Sequence, residues 1–167
     1  NPKKNIVDVS KLPPGPVDAK TLGPYLTNTS QGFSYISAPR DAIMARDLDL
    51  DGLGRFMKGV SQIFGLTVID CGSSMDEHVM KALEYATAIF VVTTGDVIVI
   101  NQTKRVLTKI QELLFPPEMV QVILNKYSPS NIINPQIIQK NLGRQVFSVI
   151  PEDNATAASC LSKSVPI

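Results

Sequence analysis

Short β-forming runs, separated by stretches with helical spacing, constrain this chain more than any other feature. The runs are Phe33–Ser37, Leu66–Ile69, Ile89–Thr93, Val120–Leu124 and Val146–Ile150, bounded by turn residues such as Ala38-Pro39, Gly65, Asn125-Lys126 and Pro151. The first alternates, and the others are nearly continuous apolar runs. Strands of the second kind are buried on both faces, as in a parallel sheet covered by helices. Between them, Leu53, Phe56, Met57, Val60, Ile63 and Phe64 recur at helical spacing and predict a helix from Gly52 to Phe64. Val79, Leu83 and Ala86 predict another over Asp76–Ala88. Val99, Val106, Ile110 and Leu113 predict the inner stripe of a long helix that Asp96 caps and Pro116-Pro117 end. Further helices are expected over about Asp18 to Leu26, over Pro135 to Leu142, and from near Asn154. Lys11–Pro16 is too rich in proline for regular structure. The expected fold is α/β, a mostly parallel sheet with helices on both faces, in a single domain over 1–167.

Composition narrows the chemistry. Lys and Arg are spread along a chain of net charge +1, which gives no electrostatic footprint for nucleic acid, and no nucleic-acid partner is expected. No apolar run approaches the ~18 residues of a membrane span, and nothing at the start reads as a signal peptide. Cys71 and Cys160 are expected to be buried free thiols in a reducing compartment. One histidine and two distant cysteines do not make a zinc site of the usual kind. His78 sits among charged neighbours on a predicted helix and reads as a solvated surface residue rather than a triad base. The acidic run Asp47–Asp51 followed by Gly52 imitates the start of an EF-hand loop. The twelfth position, which needs a bidentate Glu, is Lys58, so the run reads as helix capping.

In an open parallel sheet, ligands bind beyond the carboxyl ends of the strands. The residues there are Ala38-Pro39-Arg40, Asp70–Ser73, Thr93–Asp96, Asn125-Lys126 and Pro151–Asn154, small and polar enough for a nucleotide cleft. Asp70 follows four apolar residues and precedes Gly72. It is placed to hold Mg²⁺ through water, with Gly72 letting the backbone approach a terminal phosphate; equally, it could cap the turn that follows. The donors and acceptor of Asn125 match the edge of an adenine, but a plain turn residue fits the position as well. Pro151 fixes a loop able to pack on a purine, while Asp153 and Asn154 are also good helix caps.

In this order the motifs resemble the ParA/MinD superfamily of P-loop ATPases, with most likeness to the CpaE/TadZ branch that positions pilus machinery. Leu66–Ser73 looks like that family's Walker B strand and second switch. Ile89–Asp96 resembles its Val-Val-Thr-x-Pro-Glu/Asp strand, with Gly95 in place of Pro. Val122–Lys126 is similar to its purine motif. Val149–Asp153, followed by Ser164-Val165-Pro166, looks like its Ile-Pro-x-Asp…Gly-x-Pro ending. The resemblance implies a SIMIBI-type P-loop fold, incomplete at the N-terminus and lacking C-terminal helices. It implies ATP/ADP and Mg²⁺ as ligands. Asp70 would hold the metal through water, Gly72 would sense the γ-phosphate, and Asn125 would read adenine, with Lys126 beside it among the nucleotide-binding residues. Pro151, Glu152 and Asp153 would line the other side of the base. It also implies a homodimer driven by ATP, pilus or secretion assembly proteins as partners, and a location in the bacterial cytoplasm, at a pole. No Gly-x-x-x-x-Gly-Lys-Ser/Thr loop occurs in these residues. The sequence is therefore expected to be inactive by itself, as part of an ATPase that carries the loop elsewhere, or to act as a non-catalytic scaffold.

Overall fold

A computed structural model of the chain describes residues 4–163, so the Ser164–Pro166 motif lies outside the described residues. The chain divides into two compact units, Asn1–Ala86 and Thr87–Ile167.

The first unit is built on α4 (Leu50–Ile63), following α1 (Ile6–Ser10), α2 (Ala19–Leu22) and α3 (Ala42–Ala45) and preceding α5 (Glu77–Leu83). Leu53, Phe56, Met57 and Val60 form the stripe expected of α4, and they bury against Val9, Leu22 and Ala82. Each such side chain contributes about 1.5–3 kcal/mol by leaving water. Asp49 caps α4 by accepting from the Gly52 amide at 2.9 Å, the role expected in place of calcium binding. A buried hydroxyl ties α1 to this cap: Ser10 Oγ accepts from Asp49 N at 3.0 Å and donates to the Val7 carbonyl at 2.8 Å. Gly52 is required where it stands, because a Cβ there would overlap the Ser10 carbonyl.

Two strand expectations fail in this unit. Phe33–Ser37 yields only β2 (Ser34–Tyr35), paired antiparallel with β1 (Thr27–Asn28), plus an isolated bridge from Ser37 to Asn5. Leu66–Ile69, expected as a buried strand, has no ladder partner among the described residues. Leu66 is 83% and Val68 85% exposed. An apolar run states a preference for burial, but a strand exists only where neighbouring backbone meets its N–H and C=O groups. The expected Asp18–Leu26 helix is α2 followed by one 3₁₀ turn, Gly23–Tyr25. The expected Asp76–Ala88 helix ends early, at Leu83.

The second unit holds the parallel sheet β3-β4-β5: β3 (Ile89–Thr93), β4 (Val120–Tyr127) and β5 (Val146–Pro151). Two crossover helices join the strands, α6 (Val97–Glu112) and α7 (Pro135–Leu142), and α8 (Asn154–Lys163) follows. Ile89, Val91, Thr93, Val120, Val122 and Leu124 form a buried face. Ile100, Thr103, Leu107 and Ile110 of α6 and Ile138 and Leu142 of α7 are the buried helix positions. Of the stripe expected for α6 only Ile110 is fully buried, and Val99, Val106 and Leu113 are half-buried. The true stripe lies one position on, because it includes Thr103, a polar residue that a search for apolar spacing passes over. Burial on both faces does not hold for β3 and β5. Phe90, Val92 and Phe147 are 53%, 55% and 62% exposed, and the Phe90 and Phe147 rings lie 6.1 Å apart.

Candidate functional site

The carboxyl ends of β4 and β5 bring five of the expected residues together. β4 runs past Leu124 into Asn125, Lys126 and Tyr127, and Tyr127 pairs with Pro151 at the end of β5. The Tyr127 carbonyl accepts from the Glu152 amide at 2.9 Å, which carries the contact into the loop that follows. Glu152 Oε1 accepts from Asn154 Nδ2 at 3.0 Å. Asp153 Oδ1 accepts from the Thr156 amide at 2.9 Å and so starts α8. Hydrogen bonds from the Thr156 side chain and backbone hold the Asp153 carboxyl below its ordinary range. Asn125 is half-buried, and its Oδ1 accepts from the Lys126 amide at 2.9 Å. Lys126 has φ 52°, one of two non-glycine residues with positive φ among those described.

The loop after β3 continues the same edge. Asp96 caps α6, accepting from the Ile98 and Val99 amides at 2.7 and 3.2 Å. Tyr127 was not singled out from the sequence. Its signal was available only as a β-forming residue directly after Asn125-Lys126, which local reading takes as a strand end.

Asp70 and Gly72 belong to the first unit. Asp70 Oδ1 accepts from the Gly72 amide at 2.9 Å, and Gly72 has φ 63°, a left-handed conformation that favours glycine. The turn-capping alternative is thus present as a hydrogen bond. An ionised carboxylate has about four acceptor sites, so the exposed Asp70 keeps capacity for a hydrated cation. Mg²⁺ takes one or two carboxylates and completes its shell with water and phosphate, so Asp70 is a donor of the right kind. Cys71, expected to be buried, is half-buried. Its thiol is pushed above its ordinary range by burial and by the charges of Asp70 and Asp76. Cys160 is also half-buried and unpaired. His78 is half-buried, with Nδ1 3.7 Å from Asp76 Oδ1.

A parallel sheet with crossover helices and polar loops at its carboxyl edge defines an α/β domain. The chain has the fold of the ParA/MinD ATPases. It is similar to the ParA family ATPase from Chlorobium tepidum TLS, with a TM-score of 0.84 and 21% identity over 96% of this chain and 67% of that one. It is similar to the septum site-determining protein MinD from Pyrococcus horikoshii OT3 complexed with Mg-ADP, with a TM-score of 0.70 and 18% identity over 98% of this chain and 70% of that one. It is also similar to the MinC:MinD cell division complex of Aquifex aeolicus, with a TM-score of 0.72, 18% identity, and coverage of 98% and 64%. The chain therefore spans about two thirds of the length of these structures. No protein-family model and no curated protein matches the sequence. No helix among the described residues is long and apolar enough to cross a membrane.

Proposed function

We propose that this chain is part of an ATP-dependent positioning ATPase that acts by nucleotide-driven homodimerisation on pilus or secretion machinery in the bacterial cytoplasm, at a cell pole. The observation that carries the reading is the link of Tyr127 to Pro151 and Glu152, which sets the Asn125-Lys126 end of β4 beside the loop after β5. The fold supports it, as does the Mg-ADP named with one of the similar structures. In this reading the whole chain is one nucleotide-switch domain. Asn125 reads adenine, with Lys126 next to it in the same nucleotide site, and Pro151, Glu152 and Asp153 line the base. Gly72 approaches the terminal phosphate, and Asp70 holds Mg²⁺ through water. That ion would neutralise phosphate charge, while this chain's own residues orient the nucleotide.

The intact protein carrying this chain should bind ATP with Mg²⁺ in the micromolar range by isothermal titration, and Asp70→Ala should abolish hydrolysis. Full hydrolysis by that variant would remove Asp70 from the mechanism. A second reading, a scaffold of the same fold that positions the machinery without nucleotide, rests on the missing Gly-x-x-x-x-Gly-Lys-Ser/Thr loop in these residues. It requires that the intact protein bind no ATP at all.

A further inference from the structure

The β4–β5 ladder contains two irregularities that cancel. Val122 pairs with Val146 and Ile123 with Ser148, so β5 gains one residue at Phe147. Leu124 then pairs with Val149 and Tyr127 with Pro151, so β4 gains one residue within Asn125-Lys126. The register at Tyr127 is what it would have been with neither, so the second bulge acts locally, on the residues it contains. Bulges are rare in parallel pairs and gather where a side chain must be re-aimed.

This bulge is fixed by three features, none of which uses the lysine ammonium. Lys126 is left-handed at φ 52°, a conformation uncommon for residues other than glycine, asparagine and aspartate. Asn125 Oδ1 accepts from the Lys126 amide. The Tyr127 carbonyl accepts from the Glu152 amide. The second contact sets which way the Asn125 carboxamide faces. Rotating it by half a turn would place Nδ2 against the Lys126 N–H, donor against donor. A carboxamide held this way presents a donor and one remaining lone pair in a fixed order. Adenine offers an acceptor beside an amino donor at N7/N6, whereas guanine offers acceptors at both N7 and O6. A freely rotating carboxamide would serve either base less selectively.

From this geometry we infer that Lys126 works through its backbone, as a positioning residue. Its left-handed bulge fixes the orientation of the Asn125 carboxamide at the sheet edge, where Tyr127 is tied to Pro151 and Glu152, and so sets adenine-over-guanine selectivity. The inference rests on the nucleotide site proposed above. The test compares fluorescent ATP and GTP binding by the intact protein with Lys126→Gly, Lys126→Asn and Lys126→Val, alongside hydrogen exchange at the Glu152 amide. Gly and Asn tolerate the left-handed region and should keep the ATP/GTP ratio within about threefold, whereas the β-branched Val should lower it about tenfold or more and speed exchange at Glu152. Lys126→Ala replaces the Val variant if that one does not fold. Equal selectivity in the Val and Gly variants would overturn the inference while leaving the site. Loss of selectivity in all three would move the role to the lysine side chain and also overturn it. Wild-type protein that binds neither nucleotide would overturn the site and the inference together.

Discussion

Thr103 on α6 reaches Thr93, the last residue of β3, with the two hydroxyl oxygens 2.9 Å apart and the residues 4% and 0% exposed. Thr103 Oγ1 also lies 2.8 Å from the Val99 carbonyl, so its one proton is shared between that oxygen and the Thr93 hydroxyl. The pair joins the crossover helix to the strand whose end feeds the Thr94–Asp96 loop. Replacing one partner leaves the other buried and short of a bond, at a cost of about 1–3 kcal/mol. Thr103→Val and Thr93→Val should each lower stability in urea melts by about that much, and the double variant should lose clearly less than the sum. Strict additivity would mean that the hydroxyls contribute independently.

Gly52→Ala should destabilise the first unit. On an exposed helix position this change stabilises by about 1 kcal/mol. Here the added methyl meets the Ser10 carbonyl. That carbonyl belongs to backbone pinned by the Asp49–Ser10–Val7 bonds, so a loss of about 1–3 kcal/mol is expected instead. A gain in the denaturation midpoint would show that α1 can move aside.

Asp76 gives the acid limb of stability a local component. It accepts from the His78 and Val79 amides at 3.1 and 3.0 Å and from Ser74 Oγ at 2.9 Å. The Val79 amide first, then the Ser74 hydroxyl, holds its carboxyl below the ordinary range. A depressed folded-state pKa adds stability that is present above the unfolded value, about 3.9, and is lost as pH falls through the lower folded value. The stability difference between wild type and Asp76→Asn should therefore shrink as pH falls below about 4. A difference that stays constant down to strong acid would assign the effect to packing.

Cys71 should be a slow nucleophile. The thiolate is the reactive form, and burial together with Asp70 and Asp76 pushes the thiol up. At pH 8 Cys71 should alkylate with iodoacetamide more slowly than a cysteine in an unstructured peptide. Asp76→Asn should raise its rate, because one of the charges opposing the thiolate is gone. An unchanged rate in that variant would mean that Asp76 does not act on the sulfur.

The elements read most accurately from sequence carry their own stop signals. β3 matches its expected span, and α7 begins where Asn134 caps it and Pro135 opens it. The neighbouring positions of Asn125 and Pro151 were legible from strand order: once the strands are parallel, both must lie at one end of the sheet. Features that depend on a partner were not legible. The run Leu66–Asp70 has strand composition but no neighbour to pair with among the described residues. The α6 stripe turns on Thr103, whose burial depends on a hydroxyl of another element. The bulge at Lys126 has no compositional mark, because nothing local announces a left-handed lysine.

Exposure at Val68 and Val92 separates the structural account from the sequence pattern. Both valines sit in runs whose composition asks for burial, yet they are 85% and 55% exposed. Surface substitutions normally change stability by no more than about 0.5 kcal/mol. Truncating a buried leucine costs about 2–5 kcal/mol. In the 167-residue chain, Val68→Lys and Val92→Lys should therefore leave the urea midpoint nearly unchanged, while Leu124→Ala, at a residue 0% exposed, should lower it sharply. Val92→Lys should also reduce self-association by light scattering, because charge on the edge strand β3 opposes edge-to-edge pairing. A penalty at Val68 as large as that at Leu124 would show that the segment is covered in solution, with its backbone paired as the sequence first indicated.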